Sequence, residues 1–163
     1  MSIRRETMKQ LPALSWIIGF IEEHNIPYVI CGGLAAKAYG SERELNDIDL
    51  YVPDKYFTSI AEFGESYITY GPIQHKGEQW NLKYVQFNYL GQEVEVGSDK
   101  NCKIYDALKS QWSLQKIDFK NWKRRKVYGV EIKVMNKSDL LAYKRKLNRK
   151  VDIEDIVQIT NIV

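Results

Sequence analysis

The sequence of 163 residues predicts an α+β fold: a mixed twisted sheet flanked by helices, with a short helical C-terminal tail. Residues 1–40 give the order helix, strand, Gly-Gly, helix. The strands that follow are separated by short turns, which favour hairpins over long βαβ crossovers. After residue 135 the pattern is helical again. The length fits one domain, so we predict a core over 1–135 on which helices of 136–163 pack.

Patterns of apolar residues, separated by Gly, Pro and Asn, define the elements of the N-terminal half. The predicted helices cover residues 11–24, 34–39 and 54–63, and the predicted strands cover 28–31, 46–52 and 66–70. Gly32-Gly33 lies between the first strand and the second helix, where glycine permits backbone conformations that other residues avoid. The polar run 74–79 is predicted as a loop.

The C-terminal half shows two hairpin patterns, each around a turn that contains glycine. The predicted strands cover 82–89, 92–96, 126–128 and 131–135, and the predicted helices cover 104–109, 138–147 and 151–160. Asn136 or Ser138 can cap the second of these helices, and Asp152 lies in the first turn of the last one. Residues 112–122 match neither pattern, so no element is predicted there.

Composition and charge restrict the class of protein. Charged residues make up 28% and hydrophobic residues 44%, which is typical of a globular protein. The net charge of +3 is too small to argue by itself for a nucleic-acid binder. We find no apolar run long enough to span a bilayer and no signal peptide. Cys31 and Cys102 form no redox or metal motif, so a reducing cytoplasmic location without membrane association is expected.

The stretch Asp47-Ile48-Asp49-Leu50 carries the strongest chemical signal. Side chains alternate along a strand, so Asp47 and Asp49 share one face with Cα atoms roughly 6.5–7 Å apart. Two carboxylates on one face repel unless a cation lies between them, and Mg²⁺ prefers such oxygen ligands. Taken alone, the pair is explained more simply as a partly exposed strand with a polar face.

The combination of features is more specific. An apolar strand, Gly32-Gly33, a helix and then Asp47-Ile48-Asp49 on a second strand resemble the signature of the nucleotidyltransferase superfamily, with its polymerase-β-like fold. The resemblance covers residues 29–52 and is to small stand-alone prokaryotic members related to antibiotic and toxin–antitoxin nucleotidyltransferases. Arg43, between the glycines and the aspartates, also fits this pattern.

The resemblance implies an enzyme that transfers NMP, with AMP expected, from an NTP to a hydroxyl-type acceptor and releases pyrophosphate. It implies that Asp47, Asp49 and a third carboxylate are catalytic and hold two Mg²⁺ ions. The third carboxylate would come from Glu93-Val94-Glu95-Val96, with Glu95 preferred and Glu93 as the alternative. The implied partners are an NTP, an acceptor that is a small molecule, RNA or protein, and a toxin–antitoxin partner.

The resemblance also implies contacts to the nucleotide. Gly32, Gly33 and Arg43 fall in the motif region, and Lys144 lies in a C-terminal segment that resembles the one following the core in small family members. There a helix offers a lysine to the nucleotide. The simpler interpretation of Lys144 is a solvated helix face rich in basic residues.

One departure leaves other functions open. Gly33 stands where many catalytic relatives have serine, and this motivates the alternative of a non-catalytic nucleotide-binding or antitoxin-type module on the same fold. A weaker alternative is nucleic-acid binding through the basic stretch 116–126, although lysines protecting a hairpin edge explain it more simply. His24 and His75 have no partner at metal spacing and are interpreted as surface residues.

Overall fold

A computed structural model describes residues 2–161, with side chains from residue 8 onward. Residues 162 and 163, at the end of the predicted tail, lie outside the described range. The helices are α1 (Ser2–Glu23), α2 (Gly32–Ala38), α3 (Asp54–Phe63), α4 (Lys137–Leu147) and α5 (Lys150–Thr160). The strands are β1 (Val29–Cys31), β2 (Asp47–Val52), β3 (Ile68–Lys76), β4 (Trp80–Tyr89), β5 (Gln92–Ser98), β6 (Lys103–Asp106), β7 (Gln111–Leu114), β8 (Trp122–Val127) and β9 (Val130–Met135).

The nine described strands form one mixed sheet in the order β7-β6-β4-β5-β2-β1-β9-β8, with β3 paired to β4. The pairs β2–β5 and β1–β9 are parallel, and the other pairs are antiparallel. The fold is therefore the predicted α+β arrangement. No helix between residues 2 and 161 is both long and apolar enough to cross a membrane.

One face of the central strands is covered by helices. Leu14, Ile17 and Ile21 of α1 are fully buried, as their helical spacing predicts. Ile48 of β2 and Val94 of β5 are also fully buried, and they alternate with the acidic residues of the same strands. The hydrophobic core thus fixes which face of the sheet presents the carboxylates.

The predicted strand 66–70 and loop 74–79 are wrong in their bounds, because β3 continues to Lys76. Pro72 does not interrupt it, since β3 lies at the edge of the sheet and, among the described strands, pairs only with β4. A proline is tolerated on an edge strand because no neighbour needs its missing N–H. The pairing of β3 with β4 shifts in register between Tyr70 and Ile73, which accommodates Gly71 and Pro72 in the strand.

The predicted helix 104–109 is also wrong. Lys103–Asp106 forms β6, which pairs with β4 and with β7. Ile104 and Asp106 are buried while Lys103 is exposed, so the segment has the period of two that a strand requires. The unassigned region 112–122 contains most of β7 and the first residue of β8. The two predicted hairpins and the last two helices are confirmed within a few residues.

The C-terminal helices pack against the core through specific hydrogen bonds. The Asn136 side chain caps α4 by accepting from the Asp139 N–H, as predicted. Asp152 closes a capping box at the start of α5 with Arg149. The Ser41 hydroxyl donates to Asp155 of α5 at 2.8 Å, which ties the loop before β2 to the last helix. The loop before β2 and the last helix are thereby held together.

Candidate active site

Three carboxylates meet on the open face of the sheet. Parallel pairing of β2 and β5 sets Asp49 opposite Glu95 and Asp47 opposite Glu93. One oxygen from each of Asp47, Asp49 and Glu95 lies within 4.8 Å of the others, and all three residues are partly buried. Glu93 does not join this group; it accepts a hydrogen bond from Gln86. The structure thus places Glu95, rather than Glu93, beside the aspartate pair.

The surroundings of Asp49 and Glu95 disfavour their charged forms. Burial raises the pKa of Asp49 well above its usual range, and the nearby Asp47 and Glu95 raise it further. Burial also raises the pKa of Glu95, and although its hydrogen bond with Asp49 opposes this, Asp47 and Glu93 add to the increase. A cluster of oxygen ligands with this much negative potential fits a hard divalent cation such as Mg²⁺.

Gly32 brings the backbone against the acidic cluster. Its φ of +62° is in the left-handed region that favours glycine. A Cβ at this position would collide with the Asp49 carboxylate, whose Cγ lies 3.2 Å from the Cβ site. The glycine predicted from the motif is therefore required both by backbone conformation and by the close approach of Asp49.

At Gly33 the missing side chain leaves room for Arg43. A Cβ on Gly33 would lie 2.8 Å from the Arg43 guanidinium and 3.1 Å from Leu45. Arg43 is held there by a bidentate pair with Asp155, in which its Nε and one terminal nitrogen each lie 2.9 Å from a carboxylate oxygen. The Arg43 guanidinium therefore lies beside Gly33, the position at which many catalytic relatives have serine.

Two aspartates of α5 hold both arginines of the site. Asp155 binds Arg43, and Asp152 binds Arg149 with its Nε at 2.7 Å. The Arg149 guanidinium also stacks on the Trp80 ring at 4.9 Å from its centroid. Arg43 and Arg149 both line the cavity that contains the carboxylates, so the aspartates fix two cationic groups on it.

Lys144 lies behind these arginines. Its side chain has no exposed surface, and its ammonium lies 2.9 Å from Asp155 and 3.4 Å from Asp152. Lys144 is not among the residues that line the cavity. The structure therefore brings Gly32, Gly33 and Arg43 together with the carboxylates, and places Lys144 as a buried bridge between the two aspartates that hold the arginines.

The site opens into a cavity of about 330 Å³. One part of its lining is polar and contains the glycines, carboxylates and arginines. The rest is aromatic or aliphatic. The apolar part includes Leu50, Tyr51, His75, Trp80, Leu82, Tyr84, Tyr143 and Val151. A charged group and a flat apolar group can thus be bound side by side.

Several lining residues were missed from the sequence. No local pattern marks Arg149, because arginine is not a residue that typically caps a helix, and its bonds to Asp152 are visible only in the structure. Trp80, Leu82 and Tyr84 are spaced by two residues along β4, which places all three on one face of the sheet. His75, interpreted as a surface loop residue, lies in β3 and lines the cavity.

Burial raises the pKa of Tyr84 to about 12, and the nearby Glu95, Tyr70 and Glu93 contribute to this increase. The phenol hydroxyl therefore stays protonated at neutral pH. A protonated phenol beside the carboxylates is able to donate a hydrogen bond to a ligand in the cavity. It does not add negative charge to the site.

Comparisons with known proteins agree with this geometry. The model of a family described as nucleotidyl transferase of unknown function (DUF2204) matches residues 10–163. Among curated protein sequences, none matches the chain significantly.

Solved structures share the fold at low sequence identity. A protein of Thermotoga maritima that carries a nucleotidyltransferase assignment is 18% identical with a TM-score of 0.70, and the match covers 93% of this chain and 92% of that one. The lincosamide antibiotic adenylyltransferase LnuA, bound to lincomycin, is 14% identical with a TM-score of 0.62 over 92% and 96% of the chains. ANT(2'')-Ia in complex with adenylyl-2''-tobramycin is 13% identical with a TM-score of 0.61 over 92% and 87%.

Proposed function

The chain belongs to the nucleotidyl transferase family of unknown function (DUF2204), and we propose that it transfers a nucleoside monophosphate from a nucleoside triphosphate to a hydroxyl-type acceptor. AMP is the expected group, and pyrophosphate is the second product. The observation that supports this most strongly is the cluster of Asp47, Asp49 and Glu95 within 4.8 Å, in a cavity that two arginines also line.

Asp47, Asp49 and Glu95 would hold Mg²⁺, and two ions are expected, as in the resemblance. Their oxygen-only ligand set and mutual repulsion both fit this cation. When bound, Mg²⁺ compensates the charge of the triphosphate and of the departing pyrophosphate. The protein's own contribution is to place the reacting groups in line and to supply fixed charges.

Different residues of the site have different roles in the proposed reaction. The acceptor oxygen forms a bond to the α-phosphorus while the bond from that phosphorus to the pyrophosphate oxygen breaks. Glu95 accepts the proton of the acceptor hydroxyl, because among the three carboxylates it lies on the strand next to β4 and so borders the apolar part of the cavity. Arg43 and Arg149 compensate charge on the β- and γ-phosphates.

We assign Lys144 an indirect role in nucleotide binding. Its buried ammonium contacts Asp152 and Asp155, and each of these carboxylates orients one arginine of the cavity. The lysine balances the negative charge that the two aspartates would otherwise bring together. It is a positioning residue in this proposal, in place of the direct phosphate contact that the resemblance suggests.

Nucleotide binding should depend on Arg149. Arg149→Gln removes a charged donor to the triphosphate, and a hydrogen bond to a charged group contributes about 1.5–3 kcal/mol. The Kd of the non-hydrolysable α,β-methylene analogue of ATP should therefore rise roughly 10- to 100-fold in the presence of Mg²⁺. Isothermal titration calorimetry measures this directly, without knowledge of the acceptor.

Arg145→Gln is the matched control, because Arg145 is exposed on the neighbouring helix α4. Its Kd should stay within twofold of the parent value. Equal affinity of the parent and Arg149→Gln would contradict the assignment of Arg149.

Incubation of the parent with labelled ATP, Mg²⁺ and a panel of acceptors then separates the proposed functions. Metal-dependent nucleotide binding without pyrophosphate release from any acceptor would favour the nucleotide-binding or antitoxin-type module. Nucleic-acid binding that weakens steeply with salt, and that Arg149→Gln leaves unchanged, would favour the basic stretch as the functional surface. Association with a toxin–antitoxin partner stays a prediction, which co-purification with the product of a neighbouring gene would test.

Restoring the serine of the family motif should weaken the site. In Gly33→Ser the new side chain meets Arg43, which its bidentate pair with Asp155 holds in place. Overpacking of this kind costs roughly 1–3 kcal/mol, so we expect lower stability in urea and weaker nucleotide binding. Gly19→Ser is the control, because a Cβ at Gly19 has no atom within 4 Å. Tighter nucleotide binding by Gly33→Ser would show that a serine hydroxyl is missing from this site.

A further inference from the structure

The face of the sheet that carries the carboxylates continues outward over β4 and β3. Glu95 pairs with Gln86, so Tyr84, two residues before Gln86, lies on the same face. Tyr84 in turn pairs with Ile73 of β3. His75 follows Ile73 by two residues and therefore shares this face. Across the sheet, Gly32 and Gly33 after β1 are followed by the aspartates on β2, then by Glu95 on β5 and then by an aromatic surface.

We name this surface, made of Tyr70, Ile73, His75 and Tyr84, the aromatic shelf. Its rings contact one another, with centroids of Tyr70 and Tyr84 5.5 Å apart and those of His75 and Tyr84 5.3 Å apart. Yet Tyr70 and Ile73 remain 41% and 45% exposed. His75 and Tyr84 also line the cavity of the carboxylates, so the shelf is continuous with the site. Exposed apolar surface beside a reactive site is typical of ligand binding.

The arginines of the site come from elements other than those that form the shelf. Arg43 comes from the loop before β2, and Arg149 comes from the start of α5. None of the four shelf residues is a carboxylate, a lysine or an arginine. A polycation would need acidic groups beyond those that hold the metal, and a nucleic acid would need cations along its backbone. The shelf offers the faces and edges of separate aromatic rings instead, with the His75 ring at 83° to the Tyr84 ring, together with the Tyr84 hydroxyl.

We propose that the acceptor is a small hydroxyl compound with a flat, weakly charged ring, which packs on the aromatic shelf and directs its hydroxyl towards Glu95. This inference rests on the proposed function, and it specifies the class of the acceptor. Glu95 lies between the aspartates and Tyr84 in the sheet, so a compound on the shelf borders the carboxylate that takes its proton. The triphosphate then occupies the side of Gly32, Gly33 and Arg43.

The first test is direct binding in the presence of Mg²⁺ and the α,β-methylene analogue of ATP. p-Nitrophenyl β-D-glucoside should bind at least about tenfold more tightly than methyl β-D-glucoside, because only the former has a ring that can stack. Tobramycin and a short single-stranded RNA serve as the polycationic and polyanionic probes. Both should bind more weakly than the aryl glucoside.

The variant Tyr70→Ser/His75→Ser should lose the preference for the aryl over the methyl glucoside. Leu108→Ser, which changes an apolar residue that is 68% exposed outside the shelf, should retain it. Nucleotide affinity is measured in both variants, so that a folding defect is detected separately. An unchanged preference in Tyr70→Ser/His75→Ser would overturn the inference.

The outcomes for the acceptor and for the function are distinguishable. Pyrophosphate release with tobramycin, or AMP transfer to the RNA, without use of aryl acceptors would contradict the shelf and leave the nucleotidyl transfer intact. Absence of Mg²⁺-dependent nucleotide binding in the parent would contradict the proposed function itself. Absence of any binding of the aryl glucoside, with nucleotide binding intact, would overturn the shelf alone.

Discussion

Asp49→Asn should abolish pyrophosphate release while leaving the metal-free protein at least as stable as the parent. The change removes one of three carboxylates that repel one another, and asparagine has nearly the same shape. Loss of metal-held transition-state stabilisation amounts to several kcal/mol, which corresponds to a loss of rate on the order of 1,000-fold. Mg²⁺ should raise the melting temperature of the parent and not of the variant, as linkage requires.

Glu93→Gln is the matched control, since Glu93 lies on the same face and is bound to Gln86 rather than to the cluster. It should retain most of the activity and the stabilisation by Mg²⁺. Equal losses in Glu93→Gln and Asp49→Asn would instead favour Glu93 as the third ligand. Lower stability of metal-free Asp49→Asn than of the metal-free parent would contradict the repulsion between the carboxylates.

Asp155→Asn should destabilise the protein by about 3–5 kcal/mol, because it leaves a buried charge without its partner. Asp155 accepts hydrogen bonds from Ser41 and Arg43 and pairs with Lys144 at 2.9 Å. After the change, the fully buried Lys144 keeps only Asp152 at 3.4 Å. Urea unfolding followed by circular dichroism measures the loss. Glu154→Gln, at the exposed neighbouring position, is the control and should change stability by less than about 0.5 kcal/mol.

The double variant Lys144→Met/Asp155→Asn separates stability from positioning. Removal of the unpaired ammonium should restore a large part of the lost stability, since apolar replacement of a buried ion pair is often tolerated. Nucleotide affinity should stay low, because Arg43 still lacks its bidentate partner. Recovery of both properties would contradict a positioning role for this network.

The same network predicts the response to acid. Burial tends to raise the pKa of Asp155, but hydrogen bonds from Arg43 and Lys144 outweigh it and lower that pKa below its ordinary value of 3.8. The folded state therefore binds this proton less readily than the unfolded state. The resulting stability is complete above pH 3.8 and is lost as the pH falls through the lowered pKa. Asp155→Asn should flatten this part of the pH profile.

The sequence predicted the central part of the site because local patterns encode it. Alternation in β2 placed Asp47 and Asp49 on one face, and the two glycines were singled out because they directly follow a strand, where the structure has them as the first residues of α2. The preference for Glu95 over Glu93 came from the family resemblance, and the structure has Glu95 in the cluster. The first of these inferences depends only on the period of two within a strand, and the other two depend on the sequence motif.

Long-range contacts could not be predicted in this way. Lys144 belongs to a run of basic residues that suggests a solvated helix face, and only the docking of α4 and α5 buries it against Asp152 and Asp155. Arg149 reaches the cavity by the same docking. The strand β3 passes through Gly71 and Pro72, and its position at the sheet edge, which makes this acceptable, is a property of the whole sheet.

The candidate metal site depends on the register of the parallel pair β2–β5. Asp49 meets Glu95 only in the native alignment, and a slip of one residue would turn Glu95 to the apolar face and bring a valine to the cluster. A chain with the wrong register therefore cannot form the three-carboxylate site. Mg²⁺ present during refolding should therefore favour the native alignment of β2 and β5 over alignments that are shifted by one residue.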